Sequence, residues 1–88
     1  MANQQTIDTT WDKSQKVRGK NPDLYRKDAY GNMMYYPSYG KTSNMGWELD
    51  HKNPLANGGT DSIRNLQAMQ WDENRKKGAT YPYKKKSS

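Results

Sequence analysis

The alternation of hydrophobic and polar positions is clearest in the second half of the chain. Residues 47–51 alternate large apolar and polar side chains, a period-two pattern that predicts a short strand. The prolines, asparagines and glycines of 53–59 predict a loop, and a second strand is expected at about Leu66–Met69. A helix is predicted over Trp71–Lys77, because its acidic residues come early and its basic residues late, before Gly78. The pattern is therefore strand, long loop, strand, helix.

The first half of the chain predicts a helix and a hairpin. A short helix is expected over Thr9–Arg18, with Thr9 or Thr10 as its cap and with Trp11, Ser14 and Val17 on one face. Residues 24–36 are rich in Tyr and Met at both ends and carry the turn signal Tyr30-Gly31-Asn32, which predicts a β-hairpin. The whole pattern indicates a small α+β domain.

Composition narrows the classes of protein that this chain can belong to. Its 88 residues make one domain at most, and only 31% of them are hydrophobic, although three Trp and seven Tyr can bury large areas. The absence of cysteine excludes disulfides, thiolate zinc sites and thiol nucleophiles. A net charge of +6 indicates an anionic partner, with nucleic acid the first candidate.

Localisation and domain limits follow from the distribution of residue types. No apolar run approaches the ~18 residues of a membrane span, and the polar N-terminus lacks an apolar signal core. We therefore expect a cytoplasmic protein with no membrane partner. The predicted organisation is a flexible N-terminus at 1–8, one domain at 9–80 and a basic tail at 81–88 that adds nonspecific DNA affinity.

The candidate chemistry centres on His51, the one histidine in the chain, which follows Asp50. Imidazole is the side chain best suited to act as a general base near neutral pH. By itself, however, a lone histidine is usually a surface residue or a hydrogen-bonded core residue. The surrounding sequence has to decide between these interpretations.

Residues 46–78 contain further elements of a recognisable pattern. Asp50-His51 is followed by Gly58-Gly59-Thr60-Asp61, then Asn65-Leu66-Gln67 and finally Asn74-Arg75-Lys76-Lys77. This segment resembles the core of the HNH endonuclease family. His51, Asn65 and Asn74 occupy the three motif positions in a His-Asn-Asn version, at intervals of 14 (65 − 51) and 9 (74 − 65) residues. More loosely, Tyr25–Gly31 resembles the segment ahead of the motif in many members.

The resemblance implies a ββα-metal core, also called a His-Me finger, and a set of site residues. His51 would activate water, and Asn65, the second residue of the catalytic motif, would hold the long loop. Asp50 and Asn74 would hold a divalent metal, with Mg²⁺ the expected ion because a carboxylate and an amide oxygen are hard ligands. On a flat strand Asp50 and His51 point to opposite sides, and the family solves this with a sharp bend at the strand end. The structural zinc of many members is excluded here.

Several other side chains are candidates for binding or packing. The expected nucleic-acid contacts are basic residues near the motif: Lys77, Lys52, Arg64, Arg75 and Lys76. A solvated helix end explains Lys77 equally well. Asp28 is expected to pair with a nearby arginine. Tyr35, Tyr36 and Tyr39 form either a stacking platform or, more simply, hairpin packing, while Trp47 and Trp71 are expected in the core.

The expected function is that of a metal-dependent endonuclease that hydrolyses phosphodiester bonds in DNA, with RNA as a possible substrate. Two alternatives stay open. One is a nucleic-acid-binding module of the same fold that has lost catalysis. The other is a toxin-type nuclease or ribonuclease with a dedicated inhibitor protein. A monomer or a weak dimer is expected.

Overall fold

The chain begins with helix α1, Gln4–Asp12, in the computed structural model, which describes residues 3–84. Asn3 caps this helix, because its side-chain oxygen accepts a hydrogen bond from the backbone N–H of Thr6 at 2.8 Å. The buried face is formed by Ile7, Thr10 and Trp11. The helix therefore begins earlier than the predicted Thr9 and ends well before Arg18. Residues 4–8, which were expected to be flexible, belong to it.

A three-stranded antiparallel sheet follows, made of β1 Gln15–Lys16, β2 Tyr25–Lys27 and β3 Met33–Tyr35. Strands β2 and β3 form the predicted hairpin. Strand β1 lies where the helix was expected to continue. The guanidinium of buried Arg26 donates to the carbonyls of Asp12 and Ser14 at 3.0 and 3.1 Å, which explains why this segment leaves the helix and pairs with β2.

The second sheet pairs β4 Trp47–His51 with β5 Leu66–Gln70 in antiparallel register, from Trp47 opposite Gln70 to His51 opposite Leu66. Helix α2, Trp71–Lys77, follows β5 directly. The side chain of Gln70 accepts from the backbone N–H of Glu73 and caps the helix. Three predictions are thus confirmed, the strand at 47–51, the strand after the loop and the helix at 71–77, together with the α+β class.

The hydrophobic core lies between α1 and the two sheets. It contains Ile7, Trp11, Met34, Trp47 and Ala68, all buried. The rings of Trp11 and Trp47 lie 4.9 Å apart between centroids, an arrangement in which aromatic pairs attract one another beyond the area they bury. Aromatic side chains thus supply much of the buried apolar area of the core, because the chain has few Leu, Ile and Val residues.

Asp28 joins the hairpin turn to the second sheet. This carboxylate, only 1% exposed, accepts hydrogen bonds from the backbone N–H groups of Tyr30 and Asn32 at 2.9 Å and of Gln70 at 3.0 Å. A buried carboxylate needs such donors, and backbone amides supply them here. The expectation that Asp28 pairs with an arginine is therefore wrong, and the nearby Arg26 contacts Asp12 instead.

The last described residues return to the body of the protein. The ring of Tyr83 packs edge-on against Tyr30, with 5.2 Å between centroids, and its hydroxyl donates to Glu73. This hydrogen bond and the negative charge of Glu73 raise the pKa of Tyr83 to about 12. The predicted basic tail at 81–88 therefore contains one residue, Tyr83, that packs on the domain, and its residues 85–88 lie outside the described part of the chain. Between residues 3 and 84, the helices are too short and too polar to cross a bilayer.

Candidate functional site

His51 lies at the end of β4, where the chain leaves the sheet for the long loop. Its side chain is 31% exposed, and its Nε2 atom lies 2.7 Å from Oδ1 of Asp61 in that loop. Its backbone carbonyl accepts a hydrogen bond from Nζ of Lys77 at 3.0 Å. The imidazole is thus held by the loop on one side, its backbone is held by helix α2, and part of the ring remains open to solvent.

The carboxylates of β4 contact helix α2. Glu48 accepts hydrogen bonds from the side-chain amide of Asn74 at 2.9 Å and from the guanidinium of Arg75 at 3.3 Å. Asp50, 8% exposed, lies 3.3 Å from the ammonium of Lys77. Residues two apart on a strand share a face, so Glu48 and Asp50 contact the helix while the His51 imidazole contacts the loop. The chain brings Asp50 and Asn74 to facing elements, although each is engaged with a different partner.

Lys77 is in the interior of the protein. Its side chain is 1% exposed, and its ammonium contacts the Asp50 carboxylate and the His51 carbonyl. A buried ammonium is tolerated only with such partners. This placement contradicts the expectation of a surface residue that meets the phosphate backbone. The two other basic residues of α2 are exposed, with Arg75 paired to Glu48 and Lys76 paired to Asp72 at 3.2 Å.

The loop between β4 and β5 is organised by Asn65. Its side-chain oxygen accepts from the backbone N–H of Asn53 at 2.8 Å, and its amide donates to the carbonyls of Asn53 at 2.9 Å and Thr60 at 2.7 Å. Gly58 has a left-handed φ of +89°. A Cβ on Gly59 would lie 1.8 Å from the Asn53 carbonyl oxygen, so the loop closes only with glycine there. This is the loop-holding geometry that the family resemblance implies for Asn65.

The oxygen donors between β4 and α2 have the chemistry that a hard divalent cation needs. Asp50 offers a carboxylate and Asn74 an amide oxygen, and Glu48 adds a second carboxylate beside them. Within residues 3–84, no three or more His, Cys, Asp or Glu side chains are grouped as a metal site. A divalent cation held here would therefore have few protein ligands. Asp50 already has two partners, Lys77 and the amide of Gln67 at 2.8 Å, so a cation would have to displace the ammonium.

Two depressions flank the loop. The larger, about 600 Å³, is lined by His51, Asp61 and Glu48 together with the apolar side chains of Tyr39, Leu49 and Leu55. The smaller, about 400 Å³, is lined by the predicted nucleic-acid contacts Lys52 and Arg64 together with loop residues. The histidine thus lines a pocket that contains two carboxylates among apolar side chains, while the two basic residues line a separate pocket on the loop.

The tyrosines proposed as a stacking platform are divided among different surroundings. Tyr36 packs against Trp11 and Trp47 in the core, and Tyr39 lies edge-on to Trp47 at 4.9 Å between centroids. Tyr35 instead pairs with Tyr25 across the hairpin at 5.1 Å. Packing therefore accounts for all three. Trp47 is fully buried, as expected, whereas the partly exposed Trp71 carries Arg75 over its ring at 5.8 Å.

Comparisons with protein-family models, with curated proteins and with solved structures find no match. The site is therefore interpreted from its own residues. Two of them were missed by the sequence reasoning, Asp61 and Glu48. Asp61 belongs to the Gly-Gly-Thr-Asp stretch and Glu48 to the strand pattern, but both contact partners that are distant in sequence, and no local signal indicates such pairs.

Proposed function

We propose that this protein is a metal-dependent endonuclease of the HNH type, with a ββα-metal core formed by β4, β5 and α2. The observation that carries the proposal is the arrangement of this unit. It presents a partly exposed imidazole at the end of β4, while Asp50 contacts the helix that carries Asn74. The order and spacing of these residues agree with the motif that the sequence resembles.

The proposed role of each side chain follows from its surroundings. His51 takes a proton from the attacking water, which can reach the exposed part of the ring. Asp50 and Asn74 would hold the divalent cation, and such an ion would supply charge neutralisation at the scissile phosphate. Lys52 and Arg64 line the loop pocket and are available to contact phosphates. Asn65 keeps the loop in place beside the imidazole.

DNA is the substrate that we propose. The chain carries 15 Lys and Arg against 9 Asp and Glu, so a polyanion is attracted at long range. This charge favours DNA and RNA alike. The choice of DNA rests on the resemblance to endonucleases, and RNA is retained as an arm of the test.

One observation favours a second candidate function, a nucleic-acid-binding module without catalysis. The Asp50 carboxylate is buried against Lys77 and Gln67, so the proposed metal ligand is already neutralised by an internal ammonium. If this ion pair persists in the presence of Mg²⁺ and substrate, the fold binds nucleic acid and does not cut it.

A cleavage assay separates the two functions. The full chain is incubated with supercoiled plasmid, linear duplex, single-stranded DNA and RNA, each with Mg²⁺ and with EDTA. We expect Mg²⁺-dependent cleavage of DNA that falls by about 10²–10⁴ in His51→Ala, because the general base is lost. Asn57→Ala, an exposed change in the same loop, is the matched control and should retain full activity.

The possible outcomes are distinct. His51→Ala with more than about a tenth of wild-type activity would show that His51 is not the base, since the expected loss starts at about 10². Binding of DNA without cleavage under any metal condition would favour the second candidate. Both variants must first be shown to unfold at the wild-type temperature and to bind DNA with wild-type affinity.

A further inference from the structure

Asp61 is placed beside His51 by a loop whose backbone is anchored next to it. The carbonyl of Thr60 accepts the 2.7 Å hydrogen bond from the Asn65 amide, and Ser62 caps the following turn through its hydroxyl. The side chain of Asp61 is 84% exposed, but its two chain neighbours are thus held. The Asp61 carboxylate is thereby held next to Nε2 of the imidazole, although the loop around it is exposed.

The contact determines which ring nitrogen carries the proton. Nε2 of His51 lies 2.7 Å from Oδ1 of Asp61, and an ionised carboxylate can only accept hydrogen bonds. The neutral imidazole must therefore carry its hydrogen on Nε2. Nδ1 is then the nitrogen with a free lone pair, and it is the atom that can accept a proton.

We propose that Asp61 is the positioning residue of the general base, fixing the His51 ring and its tautomer so that Nδ1 faces the water. This inference rests on the proposed function. Asp61 acts through His51 and touches neither substrate nor metal. Because the Asp61 carboxylate is largely solvated, its attraction to the imidazolium that forms when His51 accepts a proton is screened, and orientation of the ring is its main contribution.

The neighbouring carboxylate does not serve this purpose. Asp50 adjoins His51 in sequence, but it contacts Lys77 and Gln67. The loop held by Asn65 is therefore what supplies the imidazole with its acceptor. The motif residue Asn65 and the catalytic residue His51 are linked through Asp61, so the hydrogen bonds that hold the loop also place the acceptor of the imidazole.

The single histidine makes a spectroscopic test unambiguous. Long-range ¹H–¹⁵N correlation spectra of the full chain, recorded where imidazole is neutral, report both nitrogens of one ring. We expect wild type to show a protonated Nε2 and an unprotonated Nδ1 with well-separated shifts. In Asp61→Ala the separation should shrink as the ring samples both tautomers. Asp61→Asn should preserve it, because an amide oxygen can still accept from Nε2.

Kinetics of DNA cleavage give the second readout. Asp61→Ala should lower kcat by about 10–100-fold, by analogy with the range found when the partner that orients a metal-ligating histidine is removed, with KM unchanged. Asp61→Asn should restore most of kcat. Asp23→Ala is the matched control, because it removes an equal charge from an exposed turn ahead of β2 and should leave kcat unchanged. Thermal unfolding of each variant checks that the fold is retained.

Each outcome has a definite meaning. Asp61→Ala with wild-type kcat, or a wild-type ring protonated on Nδ1, would overturn the inference while leaving the nuclease intact. If the wild-type chain cleaves no substrate, the proposed function fails and the positioning role falls with it. A variant that loses kcat only in proportion to its loss of folded protein would likewise refute a role in positioning.

Discussion

Replacing Asn65 by alanine should destabilise the protein by breaking the link that closes the long loop. The side chain makes three hydrogen bonds of 2.7–2.9 Å, two with the backbone of Asn53 and one with the carbonyl of Thr60. A typical intramolecular hydrogen bond contributes about 1 kcal/mol net. The two bonds to Asn53 are partly buried, whereas the Thr60 carbonyl is exposed, so water can replace its partner.

Counting the two partly buried bonds gives an expected loss of about 2 kcal/mol, within the range of about 1–3 kcal/mol for a group left without its partner. For a domain of this size, that loss lowers Tm by roughly 8–16 °C. Cleavage should fall as well, because the loop no longer holds Asp61 beside the imidazole. Urea and thermal unfolding followed by circular dichroism measure the stability, and the plasmid assay measures the activity.

Asn57→Ala is the control for this prediction, since it removes one exposed hydrogen bond, to the Ala79 carbonyl at 3.1 Å, from the same loop. Its stability should change by well under 1 kcal/mol. If Asn65→Ala unfolded at the wild-type temperature, the account of loop closure would be wrong. An unchanged Tm combined with lost cleavage would instead place Asn65 in the chemistry.

Three further perturbations test other parts of the structure. Lys77→Met should lower the free energy of unfolding in urea by about 3–5 kcal/mol, because it leaves the Asp50 carboxylate buried without its ammonium partner. The double variant with Asp50→Asn should recover most of this stability, and a single variant as stable as wild type would contradict the buried ion pair. EDTA should stop cleavage but leave DNA binding unchanged, and cleavage by the metal-stripped protein would refute the metal assignment. Added salt should weaken DNA binding, with a slope near −3.6 for the logarithm of the binding constant against the logarithm of the salt concentration if about four phosphates are neutralised; salt-independent binding would refute the electrostatic account. The raised pKa of Tyr83 means that the folded protein favours the protonated hydroxyl, so the stabilisation by its bond to Glu73 is present below pH 10 and is lost as pH rises through about 12. The phenolate absorbance of wild type minus that of Tyr83→Phe measures this ionisation, and a Tyr83 hydroxyl that ionised near pH 10 would disprove the prediction.

The sequence by itself determined the elements whose signals are local. Strand β4 follows from alternation over five residues, and α2 follows from its charge distribution and from Gly78. The hairpin of β2 and β3 follows from a turn signal between two Tyr- and Met-rich ends. Each of these signals acts within one turn or one pair of strands, so it can be recognised without knowing what the element packs against. The α+β class follows from the same local signals.

Only the tertiary structure decided the partners of the charged side chains. Lys77 looks like any basic residue at a helix end, yet the packing of α2 on β4 buries it against Asp50, 27 residues earlier. Asp61 contacts His51, which lies ten residues earlier in the chain, and Asp28 accepts a hydrogen bond from the backbone N–H of Gln70, which lies 42 residues later. The predicted position of helix α1 was wrong for a related reason, because Arg26 binds the carbonyl of Asp12 and the segment after it pairs with β2 as strand β1. For Lys77, Asp28 and Arg26 the free energy of burying a charge depends on donors and acceptors that are close in space and distant in the chain, and a local pattern contains no record of them.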